Sequence, residues 1–244
     1  MRCLGVIGGT SWESTLLYYR LINQGVAARR GGLHSARLLV HSVDFAPLAA
    51  LQAAGAWDAA ADVLIDAARG LRAAGADGLL LATNTMHKVA DAVQSAASLP
   101  LLHIADATGA ALARAGLRRA GLLGTRFTMD DPSIVQARLA AHGVQVLLPG
   151  EPARADVHRI IYGELCRGVV DAASRQRYVS IIGTLGAAGA QGLILGCTEI
   201  TMLVDAACSP LPVFDSTALH AAAAVDWLLQ DRPAHAEPSG DPTP

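Results

Sequence analysis

The chain is predicted to be an α/β protein of two pseudosymmetric lobes, each a small parallel sheet flanked by helices, with a ligand site in the cleft between them. Three internal matches predict this. Residues 73–85 (AAGADGLLLATNT) and 187–199 (AAGAQGLILGCTE) share one grammar at an offset of 114. In each, a glycine ends a helix, an apolar run of strand length follows, and small polar residues stand just past it. RAGLLGT at 119–125 repeats CLGVIGG at 3–9, and LPVFD at 211–215 repeats LPLLH at 99–103. Matches at nearly constant offset mark two halves of common design. Open parallel sheets hold ligands beyond the carboxyl ends of their strands, which singles out Thr83 and Cys197 as equivalent positions.

The elements follow in order. Residues 2–8 (RCLGVIG) form a buried strand, and GGTSWEST turns into a helix that Thr10 or Ser11 caps and that ends at Gly31 and Gly32. N–H groups at this helix start favour an anion, most simply a carboxylate. The Gly8–Gly9–Thr10 turn is a weak dinucleotide signal because the GxGxxG spacing is absent. Residues 36–45 form the second strand, bringing His41, Ser42 and Asp44 to its end. His41 lies in an apolar run and reads as structural at least as readily as functional. One or two alanine-rich helices cover 47–74, with Gln52 placed to reach either ligand or solvent. The strand at 78–82 delivers Thr83, Asn84, Thr85, Met86 and His87 ahead of an amphipathic helix; a strand at 100–104 and a helix at 105–116 end this half.

The pattern restarts with the strand at 119–125. Its loop, GTRFTMDDPS (124–133), is the counterpart of GGTSWEST and supplies Thr125, Arg126 and Thr128. A strand at 144–150 and helices at 154–167 and 172–188 lead to the second signature strand, which ends in Gly196, Cys197, Thr198 and Glu199. A strand at 212–215 and a helix at 218–229 close the fold. Residues 1–116 with 212–230 are expected to make the first lobe and 117–211 the second. Residues 231–244 have the composition of a disordered tail.

Composition narrows the function classes. A chain of 244 residues that is 52% hydrophobic can bury a core without staples. A net charge of −2 with scattered arginines lacks the basic stripe that nucleic acid requires. Cys3, Cys166, Cys197 and Cys208 show neither a CxxC pair nor metal spacing, so no metal site is indicated and a reducing cytoplasm fits. Cys3, Cys166 and Cys208 are expected to be inert structural thiols. No apolar run has membrane-spanning length, and the N-terminus lacks a signal-peptide core. Lys88 is the single lysine, which disfavours pyridoxal phosphate chemistry.

Related strand ends facing each other across a cleft place a thiol and a hydroxyl around one substrate centre, where one group can take a proton from one face and the other return one to the opposite face. N–H groups at a helix start can lower a thiol's pKa, which makes the Cys197 thiolate a plausible base, though the sequence does not fix that pKa. Asn84, Thr85, Thr125, Thr128 and Thr198 are short donors suited to a carboxylate.

From GGTSWEST through TNTMH and GTRFT to GCTEI and PVFD, the chain resembles the aspartate/glutamate racemase superfamily over nearly its whole length. The resemblance implies two α/β lobes, no cofactor, and deprotonation of an amino acid's α-carbon by one cysteine with reprotonation by another. It also implies that Asn84, Thr85 and Thr198 hold the α-carboxylate. The first cysteine of the usual pattern is replaced by Thr83, as in a subgroup resembling the L-aspartate/glutamate-specific racemases. Cys197 would then take the proton of an L-substrate and Thr83 would return one, directly or through water. Leu48 and Cys166 stand where typical aspartate racemases carry basic residues, which leaves Gln52, Arg126 or backbone donors near Thr10 for a side-chain carboxylate. Glu199 is counted with the substrate-binding set. A homodimer is expected, as in relatives. The rival readings are a single-thiol decarboxylase or isomerase of the same superfamily, and a non-catalytic dicarboxylate-binding protein.

Overall fold

The structure, a computed structural model, describes residues 1–231. The tail foreseen over 231–244 lies, but for Asp231, outside the described residues.

Two four-stranded parallel sheets carry the chain. The first takes β1 (Leu4–Gly8), β2 (Leu38–Ser42), β3 (Gly78–Leu81) and β4 (Leu101–Leu102) in the order β2-β1-β3-β4. The second takes β5 (Arg119–Gly124), β6 (Gln145–Leu147), β7 (Gly192–Gly196) and β8 (Val213–Asp215) in the matching order β6-β5-β7-β8. The signature strands β3 and β7 thus occupy the same inner position. Both read as unbroken aliphatic runs because helices bury both faces of a parallel sheet.

Helices supply those covers. The first half contains α1 (Trp12–Arg30), α2 (Phe45–Ala53), α3 (Trp57–Ala73), α4 (Ala90–Ala97) and α5 (Ile104–Arg114). The second contains α6 (Arg126–Asp130), α7 (Gln136–Ala141), α8 (Glu151–Gly163), α9 (Ala172–Ala187) and α10 (Ser216–Leu228). Two helices, α2 and α3, fill the 47–74 region, separated at Gly55. Asp44 accepts from the Ala46 N–H and starts the first of them at Phe45, earlier than Pro47 suggested. The expected amphipathic helix after β3 begins as a 3₁₀ turn, Thr85–Val89, before α4.

The lobe boundary differs from the sequence expectation. Val213–Asp215 pairs with β7, so this strand belongs to the second sheet. Its LPVFD motif repeats LPLLH, whose strand β4 pairs with β3 in the same way. The helices after these two strands cross over. Ala221, Ala224, Val225 and Leu228 of α10 pack with Leu4, Val6, Tyr18 and Ile22 of the first half. Ala105 and Leu112 of α5 pack into the core built on β5 and β7. Each half therefore finishes the other's core. The crossing is tight at Gly25 of α1, where a Cβ would stand 2.7 Å from Val225 Cγ2.

His41 is exposed on β2, the edge strand of the first sheet, and not inside a buried run. No helix among the described residues is long and apolar enough to cross a membrane.

Candidate active site

The carboxyl ends of β1, β3 and β7 and the starts of the segments that follow them enclose one cavity between the lobes. Thr10, Gln52, Thr83, Asn84, Thr85, Thr125, Cys197, Thr198 and Glu199 line it, all foreseen from sequence. Ser11, Ser14, Phe45, Ile161, Tyr162 and Cys166 complete the wall. Thr128 does not reach the cavity; it is fully buried behind Thr125 and Thr85.

The turn after β1 forms its floor. Gly9 has φ +88, and a Cβ there would stand 2.1 Å from the Val43 carbonyl oxygen, so the turn admits only glycine. Ser11 caps α1 by accepting from the Ser14 N–H at 3.4 Å, which leaves Thr10 free of that duty. The Thr10 hydroxyl is buried with no hydrogen-bond partner among the described residues. A buried hydroxyl left so is costly until an acceptor reaches it.

At the end of β7 the residues are strongly coupled. Cys197 is 9% exposed and its thiol donates to Glu199 Oε2 at 2.9 Å. The Thr198 hydroxyl donates to the same oxygen at 2.7 Å and meets Ser14 Oγ at 2.6 Å. One carboxylate oxygen thus collects the thiol of one lobe and, through Thr198, the first turn of α1 from the other. Burial first, and then the neighbouring Glu199 charge, raise the Cys197 pKa well above its ordinary value. The lowering that a helix start can give does not occur here. The segment after Cys197 is a short 3₁₀ turn, and the sulfur faces a carboxylate instead. The resting group is a thiol.

At the end of β3 the residues are held differently. Thr83 is half-buried, and its hydroxyl makes no hydrogen bond among the described residues. Asn84 is 8% exposed and donates at 3.3 Å to Ser216 Oγ, which donates to the Leu195 carbonyl at 2.7 Å. Its amide is therefore oriented from the second lobe. Thr85 Oγ1 lies 3.4 Å from Thr125 Oγ1 and 3.3 Å from Thr128 Oγ1, a cluster of three hydroxyls across the seam. Gln52 is 5% exposed and donates to Met86 Sδ at 2.9 Å, leaving its carbonyl for the cavity.

Two further expectations change, at Arg126 and Cys166. Arg126 does not serve the cavity: it pairs with Asp130 at 3.3 Å and Glu151 at 3.2 Å, beside a separate surface hollow. Leu48 is core, 1% exposed. Cys166 is not an inert core thiol. It is solvent-exposed at the cavity wall, where partial burial of its sulfur raises its pKa to about 11. Among the described residues the wall therefore holds no lysine or arginine, and Glu199 is its one charged side chain. Lys88 pairs with Asp131 and sits 4.9 Å from the Trp57 ring, outside this cavity. Ser14 and Ser216, which the sequence did not single out for the site, also tie the signature turns to the opposite half.

Two interlocked α/β lobes with a thiol–carboxylate pair and a ring of hydroxyl and amide donors around one cleft define a class of enzymes working on small carboxylates. The chain belongs to the Asp/Glu/hydantoin racemase family, whose model matches residues 7–224, and it is an enzyme of the amino-acid racemase type. A crystal structure from Yersinia pestis, of a protein with a provisional Asp/Glu racemase assignment, is 52% identical with a TM-score of 0.90, covering 94% of this chain and 100% of that one. An aspartate racemase homologue from Pyrococcus horikoshii OT3 is 31% identical with a TM-score of 0.81, over 94% and 100%. The broad specificity amino-acid racemase RacX of Bacillus subtilis is 27% identical over 169 residues, 68% of this chain and 71% of that relative.

Proposed function

We propose that this enzyme racemises small L-amino acids, L-aspartate and L-glutamate among them, without a cofactor, with Cys197 and Thr83 acting on opposite faces of the α-carbon. The observation that carries the reading is that equivalent ends of β3 and β7 bring these two groups into one cavity whose donors are neutral and whose one charged group, among the described residues, is Glu199. In the resting site the thiol shares its proton with Glu199. Passing that proton to the carboxylate leaves a thiolate, which takes the α-proton of the L-substrate. The carbanion gains a proton from the Thr83 hydroxyl on its other face, and the carboxyl proton returns to the Thr83 oxygen through solvent. Thr10, Asn84, Thr85 and Thr198 hold the α-carboxylate, with Thr125 and Thr128 bracing Thr85. A hydroxyl is a far weaker acid than a thiol, so turnover is slow and the L and D directions are unequal.

Because no cation among the described residues lines the wall, an acidic side chain finds only neutral donors such as Gln52 and no charge to pair with. Selection for aspartate and glutamate over uncharged amino acids is therefore shallow, in keeping with the broad specificity attributed to RacX. A homodimer is proposed through the outward stripe of α1, where Trp12, Leu16 and Tyr19 are 66%, 56% and 52% exposed. The free thiols suit a cytoplasmic setting.

Chiral product analysis of a panel of L-amino acids tests the reading. Appearance of the D-form without carbon dioxide supports it. Carbon dioxide release would mark a decarboxylase, and binding without any product a non-catalytic protein.

A further inference from the structure

We propose that His87 is the positioning residue for Thr83: its imidazole clamps the backbone just past β3 to the start of α5 and so sets the hydroxyl that faces the cavity. The last rung of the ladder beside this turn is the Ala82 N–H donating to the Ile7 carbonyl at 2.9 Å. Thr83 lies one residue beyond it, where the sheet no longer fixes the chain. His87 is 3% exposed; its Nδ1 lies 2.8 Å from the Thr83 carbonyl oxygen and its Nε2 3.2 Å from the Ile104 backbone nitrogen. A backbone N–H can only donate, so Nε2 accepts, and the ring proton sits on Nδ1 and donates to Thr83. The neutral ring is the form that satisfies both partners.

The surroundings hold the ring in that form and orientation. It stands edge-on to His103 at 4.4 Å and to His220 at 5.6 Å between centroids. His103 Nδ1 accepts from the Ala105 N–H, and His220 bonds the Leu102 carbonyl and the Tyr18 hydroxyl, each at 2.9 Å. These ring nitrogens serve local backbone and Tyr18, so they do not converge on a common ligand. Burial and the two neighbouring histidines hold the His87 pKa well below its ordinary value. The second lobe has no such clamp: the position equivalent to His87 is Thr201, whose hydroxyl donates to the Thr198 carbonyl and not to that of Cys197. The imidazole thus serves the lobe with the weaker acid, where a small displacement is most damaging.

The proposal rests on the racemase reading for its kinetic consequence, and the test separates the two. In deuterium oxide with L-aspartate and L-glutamate, α-proton exchange with retention reports Cys197, and inversion reports Thr83. His87→Leu is expected to lower inversion roughly ten- to a hundredfold relative to exchange, with KM unchanged. His87→Gln, which keeps a donor and an acceptor, is expected to recover part of it. Equal loss of exchange and inversion, or unaltered inversion, would overturn the positioning role. Nitrogen-15 NMR of the native imidazole reads the clamp with no substrate present. A neutral ring protonated at Nδ1 from pH 8 to about 6.5 is expected, since burial and the neighbouring histidines hold its pKa below that ordinary value. A ring protonated at Nε2, or one titrating in that range, would overturn the clamp even if the protein proved inactive.

Discussion

The ends of β3 and β7 share backbone, sheet position and flanking residue types, yet one presents a hydroxyl held through the main chain and the other a thiol held through its side chain. Cys197 is buried, its sulfur bonded to Glu199, and Glu199 in turn holds Thr198 and through it Ser14. Thr83 is half-buried with a hydroxyl that bonds no other described residue, and His87 grips its carbonyl. A fold repeated twice therefore fixes where two reacting groups stand without fixing how each is made reactive. A thiol gains from a proton acceptor that can turn it into a base, whereas a threonine cannot be ionised in any useful range and gains only from placement.

The largest expected effect comes from removing the thiol. Cys197→Ser is expected to lower α-proton exchange of L-substrates by about a thousandfold, within the range for losing a general base; NMR line loss in deuterium oxide checks it. Glu199→Gln breaks the same end more gently, by roughly ten- to a hundredfold. Without the carboxylate the thiol loses both its proton acceptor and the charge that opposes ionisation. The variant's rate should therefore climb with pH as the thiol ionises, still above the ordinary thiol range because burial is the larger cause and remains, while the native enzyme retains activity near neutrality. A pH–rate profile that Glu199→Gln leaves unmoved would remove the carboxylate from the account.

The histidines behind Thr83 sharpen the comparison through stability. His103 and His220 both have pKa values lowered to about 4, chiefly by burial. The unfolded chain binds protons at these sites from about 6.5 downward, before the folded one does. Their stabilising effect is thus full above that pH and is lost as pH falls toward 4, on the order of 3 kcal/mol per group at the limit. Urea melts between pH 7 and 4 should show the fall, and His220→Phe should flatten it. The smallest effect is expected at Ser216, where Ser216→Ala removes a hydrogen bond to the Leu195 carbonyl and one from Asn84. About 1 kcal/mol, read as a severalfold rise in KM, is the expected scale.

Much of this was legible in the chain. The repeat placed Thr83 and Cys197 at equivalent strand ends because glycine-ended helices and aliphatic strands leave a strong local pattern. The packing of α5 into the second core left no such trace, since an amphipathic helix does not record which sheet covers it. Ser14 and Ser216 carry no local signal of their role, and their partners lie 184 and 132 positions away. Arg126 was drawn off by Asp130 and Glu151, a competition between surface charges that sequence does not rank. The state of the Cys197 thiol is not legible in the sequence, because it is set by a carboxylate two residues on that turns back to the sulfur.

The most direct measurement follows deuterium incorporation and chirality together for L- and D-glutamate and L- and D-aspartate, with the native chain, Cys197→Ser, Thr83→Ala and Thr83→Cys. The account predicts faster exchange from the L-form, its loss in Cys197→Ser, exchange with retention but no inversion in Thr83→Ala, and exchange extended to the D-form in Thr83→Cys. Native-rate inversion by Thr83→Ala, or exchange that survives Cys197→Ser, would contradict the assignment of one proton-transferring group to each lobe.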